Sequence, residues 1–199
     1  MIKKTYTQTT VSEQPRLTIQ HDEWPTNPRE DSNLGLFITV DSDHYSPDRN
    51  ETMERIIKDT GDDARDAEHH MELITKMIHE ETDERVVAIY PVCKYEHGGI
   101  AYSLGTSHGF DYSNNGFYIV TEAGQKELGA DKKNFERIIK QELDTYNKYV
   151  NGEVYAFNLC DEHGAHIDSC SGFYNIEDIK EYLPKEWQNE DMQDYLILN

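Results

Sequence analysis

The chain is short of cysteine, of cationic residues and of long apolar runs, and each shortage removes a class of protein. Its three cysteines, Cys93, Cys160 and Cys170, are odd in number and form no CxxC pair, so no disulfide framework is predicted and a reducing compartment suits them. Nowhere do about 18 apolar residues follow one another, and the N-terminal stretch up to Pro15 has no apolar core like that of an export signal. Neither membrane insertion nor export is therefore expected, and the predicted location is the cytoplasm. No P-loop or HExxH string occurs, so the commonest sequence signatures of NTPases and zinc peptidases are missing, and no strand-to-helix nucleophile elbow is read. There is also no internal repeat and no low-complexity tract.

Cations are scarce relative to anions: 19 Lys and Arg stand against 39 Asp and Glu, a net charge of −20. That balance opposes direct binding of nucleic acid or anionic lipid and favours basic partners or metal cations. The surplus is densest early. Residues 22–84 hold 19 acids and 6 bases, residues 85–199 hold 19 acids and 10 bases, and residues 1–21 carry a small positive excess.

What the chain does have is aromatic bulk. Hydrophobic residues make up only 36%, but 13 Tyr and 6 Phe supply buried area that aliphatic residues do not, so 199 residues suffice for a folded core without staples. Arg16–Gln20 and Leu34–Val40 read as strands, as do Val86–Cys93 and Gly99–Leu104, which are joined through a glycine turn of hairpin length. Asn50 is placed to cap a helix that runs to about Thr60 and is interrupted by Gly61, after which Asp62 begins a second helix. Residues 105–116 read as an exposed loop before a strand at Phe117–Val120, and Thr121 starts a short helix that Gly129 stops.

Asp131 is expected to cap the helix Lys132–Val150, whose stripe of Phe135, Ile138, Ile139, Leu143, Tyr146 and Val150 has helical spacing. A second hairpin is predicted from Val154–Leu159 and Ala165–Phe173, then a short helix at Ile176–Tyr182 and a final helix in the tail. Hairpins together with helices, without regular β-α-β alternation, predict an α+β fold: an antiparallel sheet of hairpins with amphipathic helices packed on it. One domain spanning residues 1–199 is expected, with the acidic segment of about 22–84 as a candidate lobe.

Several strings point to relatives. They are Asn27-Pro28-Arg29-Glu30 with Asn33-Leu34-Gly35, Tyr95-Glu96-His97-Gly98-Gly99-Ile100, Gly116-Phe117-Tyr118-Ile119-Val120, Glu142-Leu143-Asp144-Thr145-Tyr146 with Gly152-Glu153-Val154-Tyr155, and Asp168-Ser169-Cys170 with Gly172-Phe173-Tyr174. In these the chain resembles a family of proteins encoded by bacteriophages and mobile elements of mainly Gram-positive hosts, a family to which no activity is attached. It departs from that pattern at Ser171, where Trp is usual, and at Asp111–Asn115, where a Trp-Asp-Ser-Gly-like string is usual. The resemblance implies a phage accessory protein, a class that often acts against host defences.

The leading candidate site is an acidic one. Duplex DNA carries one charge per roughly 1.7 Å of axis, so twenty carboxylates match about 34 Å, or roughly ten base pairs. Asp59, Asp62, Asp63, Asp66, Glu68, Glu72, Glu80, Glu81, Asp83 and Glu84 are the expected partner-binding residues, and the expected partner is a basic host protein of a restriction or CRISPR system. Steering toward Lys- and Arg-lined channels would then be fast and salt-dependent. The ordinary alternative is that acidity serves solubility.

A zinc site from Cys160, His163, His166 and Cys170 has suitable residue types within about ten positions, with Cys160 and Cys170 facing each other if the hairpin turns near Gly164. Cys93 with His97, or Cys170 with His108 and Asp168, could pair as nucleophile and base, which keeps a small metal-dependent or cysteine-based enzyme as the alternative to a non-catalytic role. Trp24, Tyr45, Tyr112, Tyr182 and Trp187 are candidate contact aromatics. Trp187 and Tyr195 are candidate homodimer contacts, for a dimeric adaptor without mimicry.

Overall fold

The computed structural model describes residues 16–41 and 43–197 and has an α+β fold. In chain order the elements are β1 (Arg16–His21), β2 (Gly35–Thr39), α1 (Glu51–Asp63), α2 (Ala67–Glu81), β3 (Val86–Glu96), β4 (Ile100–Leu104), β5 (Tyr112–Thr121), α3 (Glu122–Leu128), α4 (Phe135–Val150), β6 (Tyr155–Cys160) and β7 (His166–Phe173). Two antiparallel sheets form, in the orders β2-β5-β3-β4 and β1-β6-β7. The chain divides into two compact units. One holds residues 26–151, and the other combines the described residues of 1–25 with those of 152–199. The acidic segment 22–84 is thus split at Pro25, and its two helices belong to the larger unit.

In the larger unit, strand alternation sends Leu36, Ile38, Phe117 and Ile119 to one face of the four-stranded sheet and Phe37, Tyr118 and Val120 to the other. Both faces are covered. Helices α1 and α2 cover the first with Met53, Ile56, Ile57, Ile74 and Ile78, so the acidic segment shares its core with β2 and β5. Helix α4 covers the second with Phe135, Ile139, Leu143 and Tyr146. A strand buried on both faces needs a continuous apolar run, and Phe117–Val120 supplies one. Each of these side chains contributes about 1.5–3 kcal/mol by leaving water.

The helix ends follow from side-chain chemistry. The Asn50 side chain accepts from the Met53 N–H at 3.1 Å, that of Asp66 from His69 at 2.9 Å, and that of Thr121 from Gly124 at 3.1 Å. Gly129, at φ 58°, closes α3 in the left-handed conformation. Gly124 permits a close approach as well, because a Cβ there would stand 2.3 Å from the Leu34 carbonyl oxygen.

Some boundaries differ from the sequence expectations. Gly61 does not interrupt α1, which continues to Asp63, and the cap of α2 is Asp66, not Asp62. Glycine costs a helix about 1 kcal/mol, less than the burial of Met53, Ile56 and Ile57 returns. Strand β5 begins at Tyr112 instead of Phe117, because its polar residues find partners: Asn114 bonds the N–H and carbonyl of Ser107 at 2.9 and 2.7 Å. Asp131 does not cap with its side chain; a 3₁₀ turn at Lys132–Asn134 leads into α4.

In the smaller unit, Leu17, Ile19, Phe157 and Leu159 form the inner face of β1 and β6. Ile176, Ile179, Leu183, Trp187 and Met192 cover it. The tail is not an α-helix. It forms 3₁₀ turns at Lys185–Trp187 and Met192–Tyr195, and Leu196 then bridges to Ile19 in parallel. Among the described residues no helix is long and apolar enough to cross a membrane.

Candidate functional site

Because α1 spends Met53, Ile56, Ile57 and Thr60 on the core, the 3.6-residue period places Glu51, Arg55, Lys58 and Asp62 on its opposite side. Helix α2 buries Ile74 and Ile78 and leaves Glu68, Glu72, Lys76 and Glu80 outward. Of the ten carboxylates expected to bind a partner, Asp59, Asp62, Asp63, Asp66, Glu68, Glu72, Glu80, Glu81 and Asp83 are exposed and Glu84 is half-buried.

Three of them meet cations. Arg55 pairs with Glu81 and, at 3.1 Å, with Asp59, and these two carboxylates raise the affinity of its guanidinium for the proton. Lys76 stands 3.9 Å from Glu80. The remaining seven make no ion pair among the described residues. Residues 51–84 contain twelve carboxylates and four bases. At 1.5 Å per residue, α1 and α2 are each roughly 20 Å long, the length over which these charges are spread.

The predicted zinc ligands are not brought together. In the β6–β7 hairpin Cys160 stands opposite His166, whereas Cys170 stands opposite Phe157, so the two cysteines do not face each other. His163 lies in the turn, where its N–H donates to the Asp161 carboxylate at 2.8 Å. No group of three or more His, Cys, Asp or Glu side chains is arranged to hold a metal ion among the described residues.

The cysteine-based pairings gain no geometry either. Cys93 is buried opposite Ser103, and burial pushes its thiol up despite a hydrogen bond from the Ser107 backbone, the wrong direction for a nucleophile. His97 lies in the β3–β4 turn, its ring 3.7 Å from the Asp111 carboxylate. Asp168 stands opposite Leu159 and accepts from the Ser169 N–H at 2.8 Å; Cys170 is exposed, and His108 lies in the β4–β5 connection of the larger unit. Trp24, Tyr45, Tyr112 and Tyr182 are exposed. Trp187 is not: it is 9% exposed and packs edge-on against Tyr195 at 5.2 Å.

Two charged hubs and a fully exposed Phe110 escaped the sequence reading. The first hub is Arg29, whose side chain is 3% exposed. Its guanidinium donates to both oxygens of Asp48 at 3.0 and 2.6 Å, to Glu142 at 3.0 Å, to Asn33 at 2.8 Å and to the Gly35 carbonyl at 2.7 Å. Asp48 also accepts from the Phe37 N–H, and Glu142 from the Leu34 N–H and the Tyr118 hydroxyl. Burial lowers the proton affinity of Arg29, but Asp48 outweighs it and the guanidinium stays firmly charged. In the second hub Lys94 pairs with Asp41 and, at 2.8 Å, with Glu96, which His44 also reaches at 3.1 Å. Both hubs tie strands to loops.

Two clefts lie on the larger unit. One, of about 980 Å³, runs along α4 beside Tyr90; the other, of about 440 Å³, runs along α2 beside Ile89. Comparison with protein-family models, with curated proteins and with solved structures gave no match.

Proposed function

We propose that the chain is a binding protein that uses the carboxylates of α1 and α2 to occupy a basic, nucleic-acid-handling surface of a host protein, such as a restriction or CRISPR component. One observation carries the reading. The two helices spend their apolar faces on the sheet, and seven of the ten carboxylates singled out on them and at the two ends of α2 have no cationic partner among the described residues. Over roughly 20 Å of axis, duplex DNA presents about 12 phosphate charges. The segment carries twelve carboxylates, offset by four bases, over helices of that length. A channel lined with Lys and Arg that accepts a duplex would meet a comparable density of charge, and its encounter with the acidic helices would be fast at low salt. The resemblance to phage-encoded proteins is in keeping with a host target.

The test is affinity capture from a bacterial lysate at low and at high salt. The bait is the wild-type chain or a variant in which Asp62, Asp63 and Asp66 become Asn and Glu68 and Glu72 become Gln. These amides keep side-chain shape, and an asparagine in place of Asp66 retains the α2 cap. A basic nucleic-acid-binding protein retained by the wild type, released by salt and missed by the variant is the expected result. Equal capture by both baits, or capture of no such protein, rejects the reading.

A further inference from the structure

Strand β3 is longer than its outer neighbour. It runs from Val86 to Glu96, and β5 pairs with it along nearly all of that length, but β4 covers only Val92–Glu96. Gly105, just past β4, donates its N–H to the Pro91 carbonyl at 2.8 Å, and among the described residues no strand lies on that side of Val86–Tyr90. Pro91 therefore points its carbonyl toward the β4 side. By the two-residue alternation of an antiparallel ladder, Ile89 directs its own N–H and carbonyl to the same open edge. The stretch at this edge, Val86-Val87-Ala88-Ile89-Tyr90, is half-buried and contains no charged residue, and the Val86 N–H donates to the His79 ring at 3.1 Å; open edges are usually protected by Lys, Pro or a bulge. A register shift at Val87 and the proline at 91 confine the free ladder to a short length centred on Ile89.

The two clefts lie on opposite faces of the sheet at this place. Tyr90 borders the α4 cleft, whose walls carry Lys132, Lys133, Arg137 and Lys140 together with the acids Glu136 and Asp144. Ile89 borders the α2 cleft, where Met71 is flanked by Glu68 and Glu72. A strand added to the β3 edge would send alternate side chains into the two clefts.

We infer that the open edge of β3 docks an extended peptide segment of another protein by strand addition, with acidic residues on one face of the segment and basic residues on the other. The carboxylates meet the α4 cations. The basic side chains lay their aliphatic stems on Met71 and Ile89 and bring their charged tips to Glu68 and Glu72. Four cations line one cleft of a chain with net charge −20; Lys133 stands 3.1 Å from Asp131 and Lys140 3.7 Å from Glu136 in exposed pairs, and Lys132 and Arg137 make no ion pair among the described residues, which supplies the complementarity on the α4 side. The short ladder supplies the backbone bonds and the clefts supply the choice of sequence. The inference shares Glu68 and Glu72 with the surface proposed for the acidic helices, whereas the edge and the α4 cations, which the double variant and the methylated peptides test, lie outside that surface.

The experiment uses a fluorescent nonapeptide of alternating Glu and Lys, titrated with the full chain and followed by anisotropy. Two further peptides carry N-methyl groups on the odd or on the even backbone positions. Saturable binding is expected, and methylation of one set only should weaken it at least tenfold, since only every second residue of a docked strand bonds the edge. The surface double variant Arg137→Glu with Lys140→Glu should weaken the parent peptide at least tenfold as well. Three results overturn the inference: no saturable binding up to about 1 mM, binding that neither methylated set weakens or that both weaken alike, or unchanged affinity in the double variant.

Discussion

Arg29→Met removes the guanidinium that joins Asp48 to Glu142, and the geometry sets the size of the loss. All of its N–H donors are used, and the two carboxylates it neutralises are 14% and 16% exposed. Breaking such a pair from one side leaves uncompensated charge in a poorly solvated place, at a cost of about 3–5 kcal/mol. Met fills much of the volume, so the loss is electrostatic and not a cavity. In Arg29→Met with Asp48→Asn and Glu142→Gln no charge is left unpaired, and the amide oxygens still accept from Phe37 and Leu34. This triple variant should recover all but about 1–2 kcal/mol.

Urea unfolding followed by circular dichroism at 222 nm reads the effect in the right place, because α1 to α4 all lie in the larger unit, whereas both tryptophans, Trp24 and Trp187, lie in the smaller one. A single variant that loses less than about 1 kcal/mol, or a triple variant no more stable than the single one, would refute the view that the hub acts through charge pairing.

Three further outcomes follow. Burial raises the Asp41 carboxyl, but the Lys94 ammonium outweighs this and holds it below its ordinary value of 3.8; Lys94 and His44 hold Glu96 below 4.5. Folded values below the unfolded ones mean that this stabilisation is present above about pH 4 and is lost as pH falls through the folded values. The urea midpoint should therefore drop less steeply below pH 4 in Asp41→Asn than in the wild type. Lys94 is shifted upward, against burial and through Asp41 and Glu96, so its contribution persists to pH 10.5 and is lost only above that. Gly61→Ala should stabilise the chain by about 0.5–1 kcal/mol in the same unfolding assay, since the added methyl would meet only the His70 ring at 3.5 Å. With a thiol reagent at neutral pH, exposed Cys170 should react in the native state and buried Cys93 only after unfolding; rapid native labelling of Cys93 would reopen the case for it as a nucleophile.

Local features were legible because local chemistry sets them. The Asn50 and Thr121 caps, the Gly129 stop, the stripe of α4 and the 155–173 hairpin all follow from spacing and side-chain type. Gly61 misled because its propensity penalty is small beside the burial of the neighbouring Met53, Ile56 and Ile57. Tyr112–Gly116 looked like loop because the partners that satisfy its asparagines cannot be read from local sequence. Exposure of Asp59, Asp62, Glu68, Glu72 and Glu80 was legible from helical periodicity. The hub at Arg29 was not, since Asp48 and Glu142 stand 19 and 113 residues away. Nor was the open edge of β3, which exists only because β4 ends early and sits outermost. Cys160 and Cys170 do not face each other for a related reason: register, not spacing, decides which residues meet across a hairpin.

The central claim is that outward carboxylates of α1 and α2 compete with nucleic acid for a basic surface. The measurement that tests it most directly is displacement of a labelled DNA duplex from the captured partner by the wild-type chain and by the variant with Asn at 62, 63 and 66 and Gln at 68 and 72. The account predicts competitive displacement by the wild type, weakened by added salt, and at least a tenfold higher concentration of the variant for half displacement. Equal potency of the two chains, or a partner that binds the chain and the duplex together, would contradict it.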